Sequence, residues 1–311
     1  MLESGFPMRI FDLALILVYL IGITWFGSLF KSSQKSLKDY FLGGKRVPWW
    51  AIALSIVSAE TSTLTIIGTP ALSYHGNLGF LQVVLGYLLA RILISVLFLP
   101  HYFRGELFTA YELMNRRFGG RIRSLTSVTF LITRALAEGV RVFAISIVIS
   151  VILGTGELFS IVLITCLTVF YTLEGGMTAV IWTEVIQMGL YVVGAITSLV
   201  VMLGLLPGGW DYVMSQAAAA GKLQVFDFSF DLSFQYFQTT YTFWSGLLGG
   251  CFLATATHGT EQLMVQRLLA ARSESESRTA LLSSWVLIAF QFSLFLVIGL
   301  ILWVFYRDQG L

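Results

Sequence analysis

The stretch VSAETSTLTIIG, residues 57–68, decides how this chain is read. It lies inside a long apolar run. Even so, Ser58, Glu60, Thr61, Ser62, Thr63 and Thr65 put one carboxyl and five hydroxyl groups into eight positions. A helix bound for hydrocarbon normally carries Leu or Val there. A charge near the bilayer centre costs at least about 2.5–3.5 kcal/mol on insertion scales, so these groups need partners or a water-filled path. Two readings fit the stretch by itself. Hydroxyls, a carboxylate and the carbonyls of an interrupted helix suit a hard cation such as Na+. Alternatively, Ser and Thr make a polar helix–helix interface. Gly68, Thr69 and Pro70 are expected to weaken the helix further, and broken helices survive in a bilayer only against protein or a cavity.

The rest of the chain confirms that hydrocarbon is the right setting. Of 311 residues, 57% are hydrophobic and 12% charged, with a mean hydropathy of +0.82. Soluble domains carry about 25% charged residues. Cys166 and Cys251 both fall in apolar runs without metal-ligand spacing, so they read as small buried residues rather than a disulfide or metal framework. The first apolar run has little positive charge before it and Lys31, Lys35 and Lys38 after it. That polarity is the reverse of a cleavable signal peptide.

A spanning helix needs about 20 apolar residues. The runs predict eight spans, at residues 10–30, 48–74, 78–99, 122–153, 158–173, 179–206, 241–263 and 280–306, in a single transmembrane domain. Continuous runs of this length exclude the alternating strands of a β-barrel. With alternating spans, 13 of the 19 Lys and Arg residues fall in three loops on one side. The positive-inside rule makes that side cytoplasmic and places the N-terminus outside, in a plasma (inner) membrane. Arg267 is counted among those loop charges. The long outer loop, residues 207–240, holds FDFSFDLSFQYF, whose period-2 aromatics suggest an extended segment resting on the outer face.

Other charges lie within the predicted spans. In RALAEGVR, Arg134, Glu138 and Arg141 share one helical face, so Glu138 can pair with either arginine. This is either a structural ion-pair ladder or a ladder in which Arg141 keeps guanidinium capacity for a carboxylate solute. Arg91 is a further candidate partner for Glu60 or Glu138. His75, His101 and His258 are scattered, and no nucleophile-elbow, zinc-protease or P-loop pattern occurs, which argues against an enzyme.

Three segments add a resemblance. DYFLGGKRVPWWAIALSIVSAETS (residues 39–62), YTLEGGMTAVIWTEVIQ (171–187) and GTEQLMVQRLLAARS (259–273) are similar, in order and in register, to the sodium:solute symporter family. The family resemblance implies an all-α, LeuT-like inverted-repeat fold: a lead-in helix, then two repeats of five helices. Here it implies the lead-in helix, a complete first repeat and the start of a second. It implies that backbone carbonyls at Ser58 and Thr61 hold sodium, and that Thr65 faces the solute. Glu184 stands where the family usually has Asp, at a position tied to cation binding or release. Its extra methylene leaves proton coupling open beside Na+. Glu261 takes a position that faces solute in sugar carriers, and Glu60 stands where many members have Asp or Asn.

The expected function is therefore sodium-coupled symport of a small organic solute, a carboxylate or zwitterion, by alternating access. Family members exceed 400 residues, so the chain is expected to be truncated, to lack C-terminal helices that complete the sodium shell, and to be inactive alone. The alternative is a symporter-like sensor module of a signalling protein.

Overall fold

The structure, a computed structural model, describes residues 10–30, 36–104, 109–172, 176–231, 233–234 and 238–310. Within them the chain is all-helical apart from one parallel bridge, Val47 to Ala271. The lead-in helix α1 (Ile10–Ser28) packs on α10 (Gly176–Gly204). A short α2 (Leu37–Leu42) precedes α3 (Trp49–Glu60) and α4 (Thr63–His75). Next, α5 (Leu81–Leu93) runs through a π-helical turn, Ile94–Phe98, into α6 (Leu99–Phe103). The hairpin of α8 (Gly120–Leu153) and α9 (Glu157–Thr172) follows α7 (Ala110–Phe118). After α10 come α11 (Gly209–Ala219), a π-helical turn at Ser245–Gly249, α12 (Gly250–Gly259), α13 (Gln262–Leu269) and the long α14 (Glu274–Asp308).

By length and apolarity, Leu81–Phe103, Gly176–Gly204 and Glu274–Asp308 can each cross a bilayer, and the pair α3–α4 adds a fourth if taken as one bent span. Large apolar side chains stand exposed along α8, among them Leu125, Val128, Leu131, Leu136 and Val140. In water such a face would be a liability; in a bilayer it is ordinary.

The bend between α3 and α4 is 67°. It lies at Thr61 and Ser62, inside the stretch read as an interrupted helix, whereas Gly68–Thr69–Pro70, expected to weaken the helix further, stays helical. Thr61 is extended (φ −89°, ψ 109°), and so is Ser62 (φ −113°, ψ 172°). Local hydroxyl chemistry makes this cheap. The Thr65 hydroxyl accepts the Ser62 backbone N–H at 3.2 Å, which satisfies a donor orphaned at the helix start. Pro70 sits inside a continuous α4.

A second break, inside the predicted span 241–263, was not anticipated. Thr260 (φ −125°) and Glu261 (ψ 129°) leave helical geometry between α12 and α13. The Tyr102 hydroxyl donates to the freed Gly259 carbonyl at 2.6 Å. The backbone passes close to the π-helical turn after α5 there, since a Cβ on Gly259 would stand 3.1 Å from the Ile94 side chain.

The core wraps α3. Ile52 and Ile56 pack with Ile94, Ile181, Leu268 and Leu281, joining α3 to α10, α13 and α14. In the predicted outer loop, α11 is followed by residues 224–231 without regular secondary structure, where Phe226 stacks on Phe228 at 5.5 Å. Lys222 donates from its ammonium to the carbonyls of Ser73, Tyr74 and Gly76, closing the C-terminus of α4.

Candidate functional site

The two breaks face a common cavity of about 650 Å3. Its walls include Glu60, Thr65, Arg134, Glu138, Arg141, Glu184 and Glu261, all singled out in the sequence, together with His258 and Arg267, which were not. Ser58, Thr61 and Arg91 are buried behind that wall.

Every carboxylate on the wall is paired with an arginine, Arg134 serving two of them. Glu60, the last residue of α3, receives both oxygens' bonds from Arg91 Nη2, each at 2.9 Å. Arg91 is fully buried and is fixed further by Nε to Ser284 Oγ at 3.0 Å and Nη1 to the Tyr87 carbonyl at 3.4 Å. The structure thus selects Glu60, of the two acids considered, as the partner of Arg91. His258 Nε2 stands 2.6 Å from Glu60 Oε1, at ion-pair distance but outside full hydrogen-bond geometry.

Glu184 is clasped by Arg267, with Nη2 to Oε1 at 2.5 Å and Nε to Oε2 at 3.2 Å, and it also accepts from Ser55 Oγ. Arg267 is buried on α13, so its count as a loop charge needs correcting. It is a structural cation inside the protein. Ser55 lies one helical turn before Ser58, so Glu184 meets α3 beside the Ser58–Thr61 turn and not within it.

The third group is the α8 ladder. Arg134 pairs with Glu138 on its own helix and reaches across to Glu261 at the start of α13. Arg141 Nη1 bonds Glu138 at 3.1 Å, an acid already shared with Arg134, and its side chain stays 40% exposed. Arg141 is therefore the least engaged of the four guanidiniums around this cavity. Arg134, Arg141, Thr257 and Glu261 also line a second hollow of about 890 Å3 toward α7. The ladder forms the partition between the two.

At the Ser58–Thr61 turn, oxygens converge. The Val57 carbonyl accepts the Thr61 N–H at 3.0 Å and its hydroxyl at 2.8 Å, and the Ser58 carbonyl accepts the same N–H at 3.1 Å. Gln291 Oε1 on α14 lies 3.1 Å from Thr61 Oγ1. This all-oxygen set suits an alkali cation. Among the described residues, no cluster of three or more His, Cys, Asp or Glu could hold a metal.

Arg267 lies four residues past the end of the predicted span 241–263, so the sequence reading placed it among the loop charges. No local pattern marks Arg267, His258 or Gln291 as neighbours of the cavity.

A sequence profile of the sodium:solute symporter family matches residues 40–309. The chain belongs to that family. The human sodium/iodide cotransporter is 30% identical over 304 residues, covering 95% of this chain and 45% of its own length. Human sodium-coupled monocarboxylate transporter 2 is 28% identical, covering 92% and 46%. A solved Na+-coupled sialic acid symporter, substrate-bound and outward-open, superposes with a TM-score of 0.86 at 26% identity, over 97% of this chain and 62% of that one. The fold of this symporter-family chain is thus LeuT-like, and the chain spans a little under half the length of its curated relatives. The family consists of multi-pass membrane transporters rather than enzymes.

Proposed function

We propose that this chain carries the ion half of a symporter that couples Na+ entry to uptake of a small carboxylate or zwitterion. The carrying observation is the pair of helix breaks opening on one cavity. The broken α3–α4 offers Ser58 and Thr61 oxygens to Na+ and Thr65 to the solute, and the α12–α13 break offers Glu261 to the solute. Arg141 supplies the anion-recognising group. Iodide, monocarboxylate and sialic acid, in the names of the three relatives, are all anions, which supports a cationic contact in the solute site.

Alternating access then moves α3–α4 and α12–α13 against the α8–α9 hairpin, with the Arg134–Glu261 pair as the contact that must break or slide. The eight-span topology with the N-terminus outside and the basic loops inside a plasma membrane belongs to the same reading. Because relatives are about twice as long, further oxygen ligands for the sodium shell are proposed to come from helices equivalent to those the relatives carry beyond the matched region.

Proton coupling through Glu184 would require its clasp by Arg267 and Ser55 to open in each cycle. The test is uptake into proteoliposomes of labelled pyruvate and labelled glucose, under an inward Na+ or K+ gradient, at several pH values. Pyruvate uptake driven by Na+ and flat with pH supports the proposal. Equal uptake of glucose removes the carboxylate preference, and uptake driven by a pH gradient alone replaces Na+ with H+.

A further inference from the structure

Glu60 and His258 occupy matching places in the two broken helices. Glu60 is the last residue of α3, directly before the break at Thr61–Ser62. His258 is the last but one of α12, directly before the break at Thr260–Glu261. His258 is buried, the Glu60 side chain is only 10% exposed, and His258 Nε2 stands 2.6 Å from Glu60 Oε1. The other ring nitrogen lies 2.9 Å from the Thr257 hydroxyl.

Neither side of this contact is free to drift. Arg91 holds both oxygens of Glu60, and Ser284 on α14 and the Tyr87 carbonyl on α5 hold Arg91. On the far side of the second break, Glu261 is held by Arg134 of α8. The α12–α13 break is therefore suspended between two polar contacts, His258 to Glu60 on the ion-side helix and Glu261 to Arg134 on the hairpin. A buried carboxylate deprived of its partners is heavily penalised. Movement of the α3 end is thereby transmitted to α12 rather than absorbed by separation of the pair.

We propose that the Glu60–His258 contact couples Na+ occupancy at the Ser58–Thr61 turn to the geometry of the α12–α13 break, with His258 as a positioning residue. The inference rests on the sodium reading above and adds the route by which the ion reaches the solute side. A bound Na+ fixes the turn, Glu60 holds its place at the end of α3, and His258 draws the end of α12 into register. Glu261 is then presented to the cavity in one orientation. An effect of this kind requires differential contact in the two states, and a coupling of ordinary size is about 5- to 150-fold in affinity.

The experiment is hydrogen–deuterium exchange of the full chain in lipid nanodiscs, in Na+ and in K+, for the wild type, His258→Ala, His258→Gln and Glu60→Gln. In the wild type, Na+ is expected to slow exchange at least about fivefold both in residues 62–66 and in residues 260–265. His258→Ala keeps the first protection and loses the second. His258→Gln, which retains a donor toward Glu60, restores part of it. Glu60→Gln supplies the same answer if the alanine variant does not fold, again with protection lost at 260–265. Persistence of the second protection in both His258→Ala and Glu60→Gln overturns the proposal. So does wild-type protection at 62–66 with none at 260–265. Absence of any Na+ effect at 62–66 in the wild type overturns the sodium reading and this inference together.

Discussion

At Glu60 the energetics of burial are at their sharpest. Its carboxylate and the Arg91 guanidinium lie in the protein interior, each satisfied mainly by the other. Removing one member leaves the second uncompensated, at about 3–5 kcal/mol, whereas replacing both by apolar groups of similar size is often close to neutral. Arg91→Met is accordingly expected to lower the thermal unfolding midpoint sharply, and Glu60→Leu in the same chain to recover much of the loss. Size-exclusion recovery after a heating series reads both. A double variant no better than Arg91→Met would assign Arg91 to packing alone. Arg141 presents the opposite case, since it shares its acid with Arg134 and is partly exposed to the cavity. Charge-assisted hydrogen bonds contribute about 1.5–3 kcal/mol, so Arg141→Ala is expected to raise the KM for a carboxylate solute about 10- to 100-fold while the sodium dependence moves little. Arg141→Lys should fall between, because an ammonium lacks the bidentate fork. An unchanged KM would return Arg141 to the structural ladder.

Among the elements, the broken helices carry most of the information, and their legibility was uneven. The fold class could be read from long apolar runs and from the three motif segments. The site of the first break could not be read from helix propensity. Gly68–Thr69–Pro70 is the weaker stretch by residue type, yet Ser62 and Thr65 offer the backbone an alternative set of hydrogen bonds, and the chain leaves the helix where that alternative exists. The second break follows from Tyr102 and Ile94 meeting Gly259, contacts more than 150 residues apart in sequence for Tyr102 and thus invisible to any local pattern. The residues gathered around the cavity were mostly nameable because charges are scarce in apolar runs. Their pairing was not, because it depends on which helices lie side by side.

Two element-scale expectations follow from packing. A Cβ on Gly86 would stand 2.5 Å from the Gly246 carbonyl oxygen and 2.6 Å from that of Leu247, both backbone atoms. Gly86→Ala is therefore expected to cost about 1–3 kcal/mol by forcing α5 from the π-helical turn, seen as a lower unfolding midpoint. A midpoint equal to wild type would show that the two segments part freely. Lys222 closes the C-terminus of α4 with three hydrogen bonds and lies over Trp303 at 4.8 Å. A cation at a helix C-terminus in a partly buried setting is worth up to about 2 kcal/mol, so Lys222→Met should speed amide exchange in residues 72–76 without altering that in α3. Uniform acceleration across both helices would instead indicate global loosening.

Across the whole molecule, charge is arranged in three groups that tie different bodies together: Arg91–Glu60–His258 within the bundle, Arg267–Glu184 between α13 and α10, and Arg134–Glu261 between hairpin and bundle. The first two are buried and fixed, and the third lies between two cavities. That distribution suits a machine in which the bundle moves as a unit and the hairpin contact gives way. In the proposed mechanism Na+ binds at the Ser58–Thr61 turn and drives solute entry. The most direct test is the Na+ concentration dependence of labelled pyruvate uptake, comparing wild-type protein with Thr61→Val, which keeps the side-chain shape and removes the hydroxyl. Uptake is expected to need Na+, with a half-saturating Na+ concentration raised about tenfold in the variant, equivalent to the loss of one oxygen contact. Uptake that proceeds equally in K+, or a Na+ dependence unchanged by Thr61→Val, would contradict it.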